Sequence, residues 1–85
     1  MNLTTLREEM DAVDRELVAL FLRRMELSER IAAVKAAEGM SVCQPKRERQ
    51  VLAAAGEAAP PELRPYVTQL YETILALSRK RQEER

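Results

Sequence analysis

Nine positions between Leu6 and Val34 are spaced alternately four and three residues apart: Leu6, Met10, Val13, Leu17, Leu20, Arg24, Leu27, Ile31 and Val34. All but Arg24 are apolar. An α-helix presents such positions as one continuous seam, because a 3.5-residue repeat nearly matches its 3.6-residue turn. Thr5 and Glu8 fit a capping box at the start of this segment, and Gly39 fits a C-terminal stop. The first 38 residues therefore predict a single helix about 50 Å long. A compact chain of 85 residues has a radius of gyration of only about 12 Å. The remaining 47 residues cannot cover both ends of such a rod. Geometry alone thus points to a second chain.

The rest of the sequence continues the helical theme. Residues 40–44 read as a loop, and Pro45 suits the first turn of a second helix running to about Gly56. Pro60 and Pro61 break the chain, and a third helix is expected to start near Pro61 or Pro65. Leu63, Val67, Leu70, Ile74 and Leu77 give this helix its apolar face. The charged stretch Arg79–Arg85 is expected to fray beyond Gln82. There is no internal repeat or linker. The expected architecture is all-α, one domain over 1–85, with three helices per chain in an intertwined homodimer.

Composition narrows the chemistry. Aromatics are only 4% and glycines number two, which favours helix. Basic and acidic residues balance, 14 against 14, so nothing pulls the chain as a whole towards nucleic acid or membrane. Histidine is absent and Cys43 is the single cysteine. A zinc site, a Cys/His nucleophile pair and a Ser-His-Asp triad are excluded on those grounds. No apolar run approaches the roughly 20 residues of a membrane span. The N-terminus lacks the basic-then-apolar layout of a secretion signal, so the expected location is cytoplasmic.

Arg24 interrupts the apolar seam. It can be a register-setting residue that snorkels outward or forms a buried ion pair, or it can be an anion site inside the bundle. Lys35 follows eleven residues later, only about 20° further around the helix and about 16 Å along it. The two could share a small ligand, although Lys35 also suits an ordinary place near a helix end. Arg7 is about 25 Å from Arg24, too far to join it within one chain. An antiparallel partner helix with its dyad near Val18 would bring Arg7 level with the Arg24–Lys35 gap. Arg47 and Glu48 open the second helix, and Ser78 and Gln82 share a face of the third. Each of these is equally readable as a solvated surface group.

Taken together, Leu6-Arg7-Glu8, Asp14, Leu17, Leu20, Arg24, Leu27, Lys35, Pro45, Arg47-Glu48 and the Ser78…Gln82 pair resemble the all-helical class of chorismate mutases, the intertwined bacterial dimer type. The likeness covers essentially the whole chain. It implies that Arg24 and the partner's Arg7 hold the two carboxylates of chorismate. It implies that Lys35 and Gln82 donate to the ether oxygen. Glu48 would accept from the ring hydroxyl, aided by the backbone N–H of Gln44, with Arg47 and Ser78 backing one carboxylate. Relatives often carry an acidic residue where Gln44 stands, and a backbone role makes that departure of little consequence. The implied reaction is a unimolecular rearrangement to prephenate, in phenylalanine and tyrosine biosynthesis, with no cofactor and no metal.

Three other readings compete. An isochorismate pyruvate-lyase shares the fold and much of the cationic pocket, but Glu48 and Gln82 favour the mutase. A non-catalytic regulatory or fusion-derived domain fits poorly with a full set of key side chains. A plain oligomerisation module accounts for the heptads but not for Arg24 within them.

Overall fold

A computed structural model of the chain describes residues 2–84. It contains three helices: α1 (Leu3–Ala37), α2 (Pro45–Glu57) and α3 (Arg64–Glu83). The helix α1 begins earlier than the Thr5/Glu8 capping box predicts. Asn2 is the N-cap, and its side chain accepts from the Thr5 backbone N–H at 2.9 Å. Asparagine is among the strongest N-caps, and it satisfies the first turn before Thr5 can. The other end stops at Gly39, whose φ of 70° a glycine adopts without penalty. Gly39 N–H donates to the Ala36 carbonyl and Met40 N–H to the Lys35 carbonyl, the paired bonds of a Schellman stop.

Pro45 occupies the first turn of α2, where its missing N–H costs nothing. Between α2 and α3, the Pro60 carbonyl accepts from both Leu63 and Arg64. The guanidinium of Arg64 folds back and donates to the Gly56 carbonyl at 2.8 Å, satisfying the last turn of α2. Helix α3 begins at Arg64 with Pro65 in its first turn, and it runs to Glu83 with Glu84 as its cap. Fraying is expected beyond Gln82; the helix runs one residue further, to Glu83, and Arg85 lies outside the described residues.

Both α1 and α2 pack on α3. The molecule measures 54 × 26 × 15 Å with a radius of gyration of 15.9 Å, well above the compact value. Leu75, at 8% exposure, is the single buried apolar residue among those described. The heptad seam is not the stripe that α1 buries. From Asn2 to Leu20 every residue except Ala12 is exposed, and Leu27, Ile31 and Val34 are exposed too. What is covered is the neighbouring stripe of Phe21, Ser28, Ala32 and Lys35, together with Arg24 of the seam. The same rotation affects α3 in part. Of its expected face, Val67 and Ile74 are half-buried and Leu63, Leu70 and Leu77 are exposed, whereas Tyr71, Leu75, Ser78 and Gln82 are covered. No helix among the described residues is long and apolar enough to cross a membrane.

Candidate active site

A cavity of about 390 Å³ opens where the three helices and the α1–α2 connection meet. That is the size of a small-molecule site. Helix α1 contributes Arg24, Ser28 and Lys35, with Leu27 and Ile31 on the same wall. The connection adds Val42 and Gln44, and α2 adds Arg47, Glu48 and Val51. The floor is α3, through Leu75, Ser78, Arg79 and Gln82.

Most of the polar side chains are held by a partner from another element. Arg24 Nη1 donates to Ser78 Oγ at 3.0 Å, and its guanidinium lies 5.9 Å from the ring centre of Tyr71. Both interactions cross from α1 to α3 and fix the cation without neutralising it. Lys35 Nζ donates to the Val42 carbonyl at 2.8 Å and to Gln82 Oε1 at 3.4 Å. The carbonyl is available because the Schellman stop turns the chain back beside the last turn of α1. Gln82 Nε2 donates in turn to Ser28 Oγ at 2.8 Å. That bond uses one of its two N–H groups and leaves the other for a ligand.

Glu48 is the one carboxylate at the cavity wall among the described residues. Its Oε1 accepts from Arg79 Nη1, an ion pair between α2 and α3. This hydrogen bond raises the Arg79 guanidinium above its ordinary value; burial opposes it, and the charge of Glu48 adds to the rise. Arg47 lines the cavity and makes no hydrogen bond or ion pair among the described residues. Gln44 turns its side chain to the Ser41 carbonyl, at 2.8 Å. No buried side-chain nitrogen or oxygen in the described structure is left without a partner.

Seven of the residues singled out from sequence therefore share one cavity: Arg24, Lys35, Gln44, Arg47, Glu48, Ser78 and Gln82. Arg7 does not line it; it stands on the exposed N-terminal half of α1. Sequence reasoning missed Ser28, the Val42 carbonyl and Arg79. Ser28 carried a usable signal, since it follows Arg24 by one helical turn and precedes Lys35 by two. Arg79 was one residue from Ser78 but was counted into a charged tail.

The chain is 42% identical over 52 residues, 61% of its length, to the T-protein of Haemophilus influenzae. It is 36% identical over 67 residues, 73% of its length, to the T-protein of Enterobacter agglomerans. It is 38% identical over 59 residues, 69% of its length, to the intracellular chorismate mutase of Mycobacterium tuberculosis. The matched stretches make up 14% and 18% of the two T-proteins and 56% of the mycobacterial protein. No solved structure gave a significant match. The profile of the family described as chorismate mutase type II spans residues 6–83, and the chain belongs to that family.

Proposed function

We propose that the cavity binds chorismate and accelerates its rearrangement to prephenate. The supporting observation is the charge pattern of the wall. Arg24 and Lys35 are positioned by a hydroxyl, a carbonyl and an amide, all neutral, so their charges remain available to a ligand. Arg47 adds a third positive charge at the same wall. Burying such cations is costly unless an anion meets them, and a small dianion is the natural match.

The reaction breaks the ether C–O bond and forms a C–C bond within one molecule. No proton is exchanged, so a chain without histidine is at no disadvantage. The site has two tasks. It selects the compact conformer in which the reacting carbons approach, by gripping the two carboxylates. Arg24 takes one, backed by Arg47 and Ser78. The site also stabilises the negative charge that grows on the ether oxygen as its bond breaks. Lys35 and the free N–H of Gln82 are the donors for this, and one preorganised donor is typically worth about 3 kcal/mol or more. Glu48 accepts from the ring hydroxyl, beside the backbone N–H of Gln44.

The site as described lacks a firm grip on the second carboxylate. The bare seam of α1 supports a remedy: two copies pack these helices antiparallel around a dyad near Val18. Arg7 of the partner subunit then reaches the cavity between Arg24 and Lys35. The direct test is to follow chorismate loss and identify the product. Prephenate is expected. Turnover of isochorismate to pyruvate and salicylate instead, or no turnover of either, would contradict the mutase reading.

A further inference from the structure

Four cations and one carboxylate line the cavity among the described residues: Arg24, Lys35, Arg47, Arg79 and Glu48. The chemistry proposed above uses every one of them except Arg79. The partners divide sharply. Arg24 and Lys35 bond to neutral groups, whereas Arg79 bonds to the lone anion. Glu48 is 23% exposed and Arg79 is 35% exposed, so the pair lies partly shielded from water rather than on the open surface.

A partly desolvated carboxylate seeks a cation. Without Arg79, the cations left at the wall are Arg24, Lys35 and Arg47, the groups a dianion would need. Glu48 paired with any of them would occupy it and set a negative charge against the incoming carboxylates. Glu48 Oε2 accepts no hydrogen bond among the described residues, so one of its two oxygens is spare while the other is held. We infer that Arg79 is a positioning residue for the mutase reaction: it keeps Glu48 away from the ligand-binding cations and leaves Glu48 Oε2 free to accept from the ligand's hydroxyl. The inference rests on the mutase reading of the site.

A double-mutant cycle in the 85-residue chain tests it, using Arg79→Gln, Arg79→Lys, Glu48→Gln and the combined Glu48→Gln/Arg79→Gln. KM and kcat for chorismate are the readouts, with calorimetric binding of a non-reacting dianionic transition-state mimic where turnover is slow. Arg79→Gln should raise KM about tenfold, with a smaller change in kcat, as expected for residues coupled in one network. Arg79→Lys should recover part of this, since it keeps the charge and loses the planar fork. In the Glu48→Gln background, Arg79→Gln should change KM by less than about twofold, because no anion remains to restrain. Equal losses in both backgrounds would overturn the inference, since Arg79 would then be touching the ligand itself or only supporting the fold. An unchanged Arg79→Gln enzyme would overturn it as well. Should Arg79→Gln fail to fold, Arg79→Lys in the two backgrounds reads the same coupling. If the parent chain turns over chorismate and the cycle shows no coupling, this inference alone fails. An inactive parent chain removes the mutase reading and this inference with it.

Discussion

Along the first half of α1, Leu6, Met10, Val13, Leu17 and Leu20 stand 48 to 64% exposed. In the second half, Ser28 is 5% exposed, and Arg24 and Lys35 are partly covered. One helix thus leaves its apolar residues bare and shelters its polar ones. The two halves obey different constraints. Arg24, Ser28 and Lys35 are covered because partners on α3 and the α1–α2 connection meet them, and each is hydrogen-bonded. The apolar half has nothing in its own chain long enough to reach it. Burying one such side chain fully is worth about 1.5–3 kcal/mol. The half still exposed on five of them amounts to several kcal/mol, a large share of the about 5–15 kcal/mol that stabilises a domain. The contrast fits the proposal above, in which the pocket is built within one chain and a second copy covers the seam.

The sharpest way to break this contrast is to charge the bare half. Leu17→Asp should dissociate and unfold the protein, because near the proposed dyad it would bury two like charges without partners. On a helix that stays uncovered, the same change would shift stability by no more than about 0.5 kcal/mol. Sedimentation and a thermal melt together tell the two apart. On the polar half, Lys35→Ala should leave the fold intact and reduce kcat by about a hundredfold or more, the loss typical of an oxyanion donor. An effect confined to KM would remove Lys35 from the chemical step. A smaller effect should follow from Ser28→Ala. It frees the Gln82 amide and forfeits about 1 kcal/mol of positioning, or roughly a fivefold drop in kcat. If kcat is unchanged, the Ser28–Gln82 bond has no part in orienting the donor.

The same contrast explains what could be read from the sequence. The helices and their stops were legible because their causes are local: a heptad period, a glycine at positive φ, prolines at first turns. The Arg24–Lys35 pair was legible because helical geometry alone puts both on one face. The choice of face was not. Hydrophobic periodicity marks the stripe that needs covering and does not say which neighbour covers it. In α1 the chain's own packing takes the adjacent stripe, and in α3 it covers only part of the expected face, Val67 and Ile74. Ser28 and Arg79 were hidden for a related reason. Their partners, Gln82 and Glu48, lie 54 and 31 residues away, and only the placement of α3 brings them together. The N-cap error was different in kind. Asn2 and Thr5 compete for one role, and the stronger cap, further upstream, takes it.

One measurement joins both halves of α1. An Arg7→Ala chain carries its lesion on the bare half, and an Arg24→Ala chain carries its own in the pocket. Each homodimer should be inactive. Co-refolding the two should return activity, because half of the sites in a mixed dimer would combine an intact pocket with an intact Arg7 of the partner subunit. The account predicts about one working site per heterodimer, at normal kcat. Inactive mixtures, after mass spectrometry has confirmed that mixed dimers formed, would contradict it.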